Sequence, residues 1–218
     1  MMLSELNEII VICRKCPRLV EWGEKVAREK RRAYQDQEYW GKPVPGFGDQ
    51  KAQVFVVGLA PGAHGSNRTG RQFTGDASGD FLYPALYRAG FASQPGSIAR
   101  GDALRLTDLY TAPVCRCAPP DNKPTAEEQA NCRPYLKHEI EIINPVVFVA
   151  LGRIAFDALL QIYSLPKGHY IFRHNVVYQI PEGKYIVCSY HPSRQNTQTG
   201  RLTVAMFDKV WRTVKSLL

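Results

Sequence analysis

Four of the six cysteines have positions that suit the ligands of a metal centre. Cys13 and Cys16 form a Cys-x-x-Cys pair, and Cys117 and Cys132 lie fifteen residues apart in a proline-rich part of the chain. In a reducing compartment, clustered cysteines bind metal or carry chemistry more often than they form disulfides. The spacing leaves a four-thiolate zinc site and an iron–sulfur cluster equally open. Cys115, which we call the spare thiol, also leaves the choice of the third ligand open.

Two polar loops offer groups for binding and catalysis. The first, residues 58–80, contains six glycines, which let a backbone approach a ligand closely. It has neither the Gly-Lys-Ser/Thr of a phosphate-binding Walker loop nor the dinucleotide fingerprint. Its Pro61, Phe73 and embedded charges favour an ordered binding wall over a flexible surface loop. The second loop, residues 191–201, begins with His191 and continues with Arg, Gln, Asn and Thr, which suit phosphates and base edges. The alternative for His191 is a polar cap at a strand end.

The elements around these loops alternate between strand and helix. Apolar runs predict strands over residues 52–57, 104–110, 146–151 and 185–190. Helical periodicity and a Thr125/Glu128 capping box predict helices over residues 3–12, 20–33, 78–89, 125–143, 153–163 and 201–217. This alternation predicts an α/β fold with a parallel sheet covered on both faces, in which ligands bind in the loops that follow the strands. Cys188, inside the last strand, is expected in the core.

Length and charge limit the function. The 218 residues suit one α/β domain, and the formal net charge is +8. From residue 151 onward, 9 Lys/Arg stand against 3 Asp/Glu, a net of +6. A basic surface of this kind attracts nucleic acid, although it is also compatible with a plain solvated face. No apolar run suits a membrane span or a signal peptide, so we expect a soluble, cytoplasmic protein without membrane partners.

Several motifs together resemble the iron–sulfur-containing branch of the uracil-DNA glycosylases, and most closely its type-b, or fifth, family. These motifs are CRKCP, GLAPGAHGSNRTGR, FTGDASG, CAPPDNKPT, ALGRIA and YHPSRQNTQTG, and they span nearly the whole chain. The resemblance implies a three-layer α/β/α sandwich with a central four-stranded parallel sheet, formed by residues 1–218 as a single uracil-DNA glycosylase-like domain. It also implies a structural 4Fe-4S cluster rather than zinc. The implied ligands are Cys13, Cys16, Cys117 and Cys132.

The resemblance further implies a DNA glycosylase that flips a damaged base into a pocket and hydrolyses its bond to the sugar. His191 would stabilise the negative charge that develops on the departing base. The usual water-activating Asp before the loop proline is replaced by Ala60. Asp76 and Asn122 are the nearest candidates to position the water, although Asp76 could equally be a helix cap and Asn122 a turn residue.

For the substrate, the resemblance implies base contacts from Gly62, Ala63 and Phe73, with Phe73 as the stacking wall. Enzymes of this superfamily that are strict for uracil carry an Asn ahead of the third cysteine, whereas residues 111–114 here are Thr-Ala-Pro-Val. We therefore expect release of uracil and also of hypoxanthine and other deaminated bases. The expected DNA contacts are Arg68, Arg71, Arg194, Gln195, Asn196 and Arg201.

The expected partner is duplex and single-stranded DNA with damaged bases, bound by a monomer. Two rival hypotheses remain at this point. One is a DNA-binding protein without catalytic activity, which would bind DNA but release no base. The other is an enzyme for free nucleotides, which would prefer mononucleotides to duplex DNA; the missing Walker lysine counts against phosphoryl transfer.

Overall fold

A computed structural model describes all 218 residues. It contains one mixed sheet of six strands in the order β1-β3-β2-β4-β6-β5. The strands are β1 Phe47–Gly48, β2 Val54–Gly58, β3 Leu109–Pro113, β4 Val147–Leu151, β5 Val177–Ile180 and β6 Lys184–Ser189. The four central strands are parallel, and short antiparallel strands, β1 and β5, pair with the two edges. The predicted four-stranded parallel sheet is therefore confirmed, with two edge strands added to it.

Helices cover both faces of this sheet. They are α1 Leu3–Val11, α2 Pro17–Glu29, α3 Ser66–Thr69, α4 Ala77–Arg88, α5 Ala126–Ile143, α6 Arg153–Ile162, α7 Arg194–Gln198 and α8 Val204–Lys215. Helices α1, α5 and α6 contribute to the hydrophobic core on one face, and α4 and α8 contribute to the core on the other. The predicted three-layer α/β/α sandwich is confirmed. None of the helices combines the length and the apolarity needed to cross a membrane.

The near-continuous apolar strands are explained by this double coverage. In β2, Phe55 and Val57 pack toward α1, α5 and α6, whereas Val54 and Val56 pack toward α4 and α8. All four side chains are fully buried. Because successive strand residues point to opposite faces, a strand buried on both faces must be apolar at every position.

The helix boundaries follow from local sequence signals. Thr125 caps α5 through its side chain, and Glu128 closes the capping box from the other side. The same helix ends at Asn144, whose left-handed conformation stops the chain before Pro145. The charged helix α2 ends at Glu29 rather than at residue 33, because Lys30 takes a positive φ of 53°.

Two further predicted boundaries are wrong. The strand expected over residues 104–110 begins only at Leu109, because Asp108 has a positive φ of 55° and interrupts the extended backbone. Leu106 forms only an isolated bridge, to Ala92. The last helix begins at Val204, after the separate short helix α7, and its Met206 is half-buried rather than buried.

The topology predicts where a ligand would bind. Strand β2 lies between β3 and β4, so the next strand in the chain, β3, pairs with one edge of β2, and the strand after it, β4, pairs with the other edge. Such a switch point opens a crevice at the carboxyl ends of parallel strands. The loops after β2, β3 and β6 all begin at this edge of the sheet.

Candidate active site

A cavity of about 850 Å³ lies at this edge and is lined by those three loops. It brings together Phe73 and Asp76 from the loop after β2, Asn122 from the loop after β3, and His191 from the loop after β6. Gly62 and Ala63 line the same cavity. Six residues predicted from the sequence to contact the base or to catalyse thus share one enclosure of the size expected for a small-molecule site.

Asp76 has one oxygen anchored and one oxygen free. Its Oδ1 accepts hydrogen bonds from the backbone amides of Ser78 at 3.0 Å and Gly79 at 3.2 Å, so Asp76 is the N-cap of α4. Burial raises the pKa of this carboxyl group above its ordinary value, although the two amides act in the opposite direction. The cap and the catalytic interpretation are therefore compatible, because they use different oxygens of the same carboxylate.

Glycines make room for the free oxygen, Oδ2. A Cβ on Gly62 would lie 3.0 Å from it, and a Cβ on Gly65 would overlap it. Real Cβ atoms are essentially never found closer than the first of these distances. The glycines of the GAHG segment thus let the backbone approach this carboxylate closely.

Phe73 is held in a strained conformation against the sheet edge. It has a positive φ of 51°, which is rare for a bulky residue, and its ring lies against Gly58, where a Cβ would approach to 2.7 Å. Its ring centroid lies 6.2 Å from that of His191. Backbone strain of this kind concentrates at functional sites and persists only where the surroundings enforce it.

His191 is a neutral imidazole in this cavity. Burial alone lowers its pKa to about 4. Its backbone carbonyl accepts a 2.9 Å hydrogen bond from the side chain of Asn196, which fixes the start of the loop. A neutral imidazole carries one N–H group, which can donate a hydrogen bond to an atom that carries negative charge.

Asn122 lies at the exposed rim of the cavity, in the short 3-10 turn Pro120–Asn122. Both Asp121 and Asn122 have positive φ values, 54° and 56°. Two consecutive left-handed residues turn the chain sharply, and Asp and Asn tolerate this conformation better than most residues. Asn122 is thus both a turn residue and a residue of the cavity rim.

The structure places Arg68 and Arg71 differently from the expected phosphate contacts. Arg68 is buried and donates to the backbone carbonyls of His64 at 2.7 Å and Gly75 at 2.9 Å. Arg71 is buried and forms a two-pronged ion pair with Asp102, at 2.7 and 2.8 Å. Both guanidinium groups hold the glycine-rich loop together from inside, because they satisfy its carbonyls and a carboxylate.

The Arg71 ion pair also affects its partner. Burial by itself would raise the pKa of Asp102, but hydrogen bonds from Arg71 and from three backbone amides outweigh it and lower the pKa far below its ordinary value. The carboxylate therefore stays charged throughout the working pH range, and the loop keeps its internal brace.

The remaining predicted DNA contacts lie on the surface. Arg194 and Gln195 are exposed at the cavity mouth, at the start of α7. Arg201 is exposed and covers the ring of Tyr190 at 4.8 Å. Asn196 is half-buried and supports His191 rather than facing outward.

The sequence analysis missed a contribution from the N-terminal segment. Arg31 and Tyr34 line the cavity, and Tyr34 lies 4.0 Å beneath the guanidinium of Arg68. The hydroxyl of Tyr39 hydrogen-bonds Nδ1 of His64 at 3.0 Å. Burial, followed by the charges of Arg31 and Arg68, lowers the pKa of His64. The consecutive basic residues 30–32 were the only signal, and they looked like the polar end of a helix.

The four predicted cysteine ligands meet around a second, small cavity. Cys13, Cys16, Cys117 and Cys132 all line it, whereas the spare thiol Cys115 is fully buried and does not. Asn131 donates to Sγ of Cys16 at 3.6 Å. Burial raises the pKa of the Cys16 and Cys117 thiols. No three His, Cys, Asp or Glu side chains lie close enough together to hold a single metal ion.

Arg116 also lines the thiol cavity and has an unpartnered donor. Its guanidinium is fully buried and pairs with the buried Glu139, which also accepts a 3.0 Å hydrogen bond from Tyr110. Nε of Arg116 has no hydrogen-bond partner. A buried, unsatisfied donor beside four thiols is the arrangement expected around a group that carries negative charge.

Comparison with known proteins gives one consistent result. A model of the uracil DNA glycosylase superfamily matches residues 45–215. A type-5 uracil-DNA glycosylase from Thermus thermophilus is 53% identical over 211 residues, covering 96% of this chain and 95% of its own. A type-5 enzyme from Mycobacterium leprae is 49% identical, covering 99% and 95%. One from Pyrobaculum aerophilum is 45% identical, covering 93% and 88%.

Proposed function

The chain belongs to the type-5 family of the uracil DNA glycosylase superfamily, and we propose that it removes uracil, hypoxanthine and other deaminated bases from DNA in base excision repair. The observation that carries the proposal is the convergence of Phe73, Asp76, Asn122 and His191 in one cavity. The superfamily membership and the activity for which the relatives are named support the uracil part of it.

The reaction requires a water and a leaving base on opposite sides of one sugar carbon. The flipped base stacks on Phe73, the one buried aromatic ring beside His191. The bond between C1′ and the base breaks, and its electron pair goes to the base. The neutral imidazole of His191 donates a hydrogen bond to a base carbonyl and stabilises that negative charge.

Asp76 acts on the other reactant. Water attacks C1′, and its proton passes to the free Oδ2, while the α4 amides hold Oδ1 in place. The carboxylate also stabilises the positive charge that develops on the sugar. Asn122, at the rim, orients the water through its side-chain amide. Asp76 then gives its proton back to solvent and the anionic base takes one up, so the products are the neutral free base and an abasic site.

The breadth of the substrate range has two supports. The segment that carries an Asn in strictly uracil-specific enzymes contains only Thr111, Ala112, Pro113 and Val114, and none of them lines the cavity. The volume of about 850 Å³ leaves space for a purine such as hypoxanthine as well as for a pyrimidine. A cavity without a dedicated polar partner for uracil discriminates less strongly against other bases.

The exposed groups at the mouth suit DNA. We expect Arg194 and Gln195 to contact the strand beside the flipped nucleotide, and Arg201 to contact a phosphate, in both duplex and single-stranded DNA. Arg31, from the N-terminal segment, is a further exposed cation that lines the cavity.

We also propose that the thiol cavity holds a structural 4Fe-4S cluster. Four thiols from distant parts of the chain line one small cavity, and cysteine thiolates are the ligands that such a cluster takes. When bound, the cluster supplies four bonds to cysteines from distant parts of the chain. The residues around it would hold Cys13 and Cys16 beside Cys117, and so fix the N-terminal segment to the loop that carries Asn122. The unpartnered Nε of Arg116 would face its negative charge.

The test is base release from duplex oligonucleotides that carry a single uracil or a single hypoxanthine, with protein purified without oxygen. Release of both bases by the wild type, and its loss in Asp76→Asn, is the expected result. Binding of DNA without release of either base would refute the enzymatic proposal and favour a non-catalytic DNA-binding protein. Release of uracil alone would refute the broad specificity.

A further inference from the structure

One polar group in the base cavity has no partner. Gln72 lines the cavity and is only 2% exposed, and its Nε2 has no hydrogen-bond partner. Buried side-chain amides are nearly always satisfied in folded proteins, so an exception requires an explanation. An unsatisfied amide inside a ligand cavity is explained most simply by a hydrogen bond that the ligand completes.

The backbone of this residue is firmly held. Its carbonyl accepts a 2.8 Å hydrogen bond from the buried hydroxyl of Tyr83 and a 3.1 Å bond from Thr74. The next residue is the strained Phe73. The position of Gln72 relative to the stacking ring is thus fixed before any base arrives, as a recognition group requires.

We propose that the side-chain amide of Gln72 recognises the flipped base through a paired carbonyl and ring N–H. This rests on the proposed glycosylase function and specifies how that same cavity selects its substrates. A glutamine amide presents one acceptor and one donor group side by side. It can therefore donate to a base carbonyl and accept from the adjacent ring N–H.

Deamination creates this edge. Uracil and hypoxanthine each carry a carbonyl next to a ring N–H. Their parent bases, cytosine and adenine, carry an amino group next to an unprotonated ring nitrogen. Uracil presents this pair as O4 and N3–H, and hypoxanthine presents it as O6 and N1–H, so one orientation of the amide, with Nε2 on the carbonyl and the oxygen on the ring N–H, serves both bases. Thymine and guanine carry the same edge as uracil, so the contact separates only cytosine and adenine from their deaminated products.

The inference gives a physical reason for a broad but not indiscriminate pocket. The segment 111–114 offers no amide to the cavity, and Gln72 supplies one from another loop. A contact shared by all deaminated bases of this type does not favour uracil over hypoxanthine. It favours both over the bases from which they arise.

The experiment measures single-turnover release of uracil and of hypoxanthine by Gln72→Met, a substitution of nearly equal length without polar atoms. We expect both rates to fall by about tenfold to hundredfold, because two hydrogen bonds to the base are lost. Gln72→Glu, which keeps an acceptor but loses the donor, should be slower still, since its carboxylate faces the base carbonyl. The matched control is Thr111→Val, which also removes a buried oxygen without a partner, but outside the cavity. Its rates should equal those of the wild type.

Thermal melting separates recognition from a structural role. Replacing an unsatisfied buried amide by an apolar group of the same shape should leave the melting temperature of Gln72→Met unchanged or higher. A melting temperature that falls together with both rates would overturn the proposal in favour of a structural role. Unchanged rates, or a loss confined to one base, would also overturn it. If the wild type released neither base, the proposed function itself would fail, which is a different outcome.

Discussion

Replacing Asp76 by Asn and by Ala should separate the two roles of its carboxylate. Oδ1 caps α4 through the amides of Ser78 and Gly79, while Oδ2 lies free beside the glycines of the loop. Asn is as good a cap as Asp, whereas Ala leaves the amides unsatisfied. Neither variant retains the negative charge. We therefore expect two variants with similar losses of activity and different stabilities.

The magnitudes follow from the two roles. Removing a water-activating group typically costs about 10²–10⁴ in rate, and both variants should lose this much in single-turnover base release. Removing an N-cap costs about 0.5–2 kcal/mol, which corresponds to a melting temperature about 1–8 °C lower for a chain of this length. Only Asp76→Ala should show this fall.

The pH dependence gives an independent check. The pKa of Asp76 is higher in the folded protein than in the unfolded chain, so the folded state binds this proton more tightly. The stability that protonation contributes is complete below the ordinary value near 3.8 and is lost as the pH rises through the raised value. Asp76→Asn, which has no charge to bury, should therefore gain stability relative to the wild type as the pH rises from the ordinary value near 3.8 to neutrality. Wild-type kcat/KM should fall on the acid side as the same group takes up its proton.

The assay combines base release from a uracil-containing duplex with thermal melting over a pH series that runs from the ordinary value near 3.8 to neutrality. A rate for Asp76→Asn within threefold of the wild type would refute the catalytic role and leave only the cap. Equal melting temperatures for the Asn and Ala variants would refute the cap. A stability difference independent of pH would contradict the raised pKa.

Three other perturbations have defined outcomes. Gly65→Ala should slow base release at least tenfold, because its Cβ would overlap the free oxygen of Asp76. Gly96→Ala, whose Cβ meets nothing within 4 Å, should behave as the wild type. Equal single-turnover rates for the two variants would contradict the proposed role of Asp76. Arg31→Ala should reduce the slope of log affinity against log salt by about 0.9 in fluorescence anisotropy with duplex DNA. Arg212→Ala on α8 should leave this slope unchanged. An equal reduction in both variants would indicate a general charge effect. Cys117→Ser should lose the visible absorbance of the proposed cluster and melt at a lower temperature, while Cys115→Ser should leave the absorbance in place. A metal content unaffected by Cys117→Ser would argue against a role of Cys117 as a ligand.

The strand and helix order could be predicted because both faces of the sheet are covered. Residues 146–151 are all apolar and are therefore easily recognised as a buried strand, and the capping box at Thr125 defines a helix start. The second strand was misplaced, since the alternation of residues 104–107 resembles a strand as closely as residues 109–113 do. The positive φ of Asp108, which decides between them, depends on tertiary contacts: its backbone amide donates to Asp49, and its carboxylate accepts from Gln53.

The residues of the candidate site likewise fall into those that the sequence could predict and those that depend on tertiary contacts. Residues in the signature motifs, such as Asp76 and His191, could be found because the resemblance covers them. Arg68 and Arg71 lie in the same motif, but whether an arginine faces DNA or braces a loop depends on partners far along the chain, such as Gln37 and Asp102. No local pattern encodes those partners. Gln72 was missed for the opposite reason. It stands out only because its buried Nε2 has no hydrogen-bond partner, and a sequence does not show this.

Burial in the cavity shifts the pKa values of Asp76 and His191 toward one another. Burial raises the pKa of Asp76 and lowers that of His191 to about 4, so it favours the neutral form of each. Above both values the carboxylate is charged and the imidazole is neutral, which is the combination the reaction needs. A charged imidazole would instead be attracted to the carboxylate, and each would weaken the other's contribution to the separated charges of the transition state. The same burial that makes Asp76 costly to ionise therefore keeps His191 a neutral donor, and this division of roles follows from the enclosure of the cavity as much as from the two residues themselves.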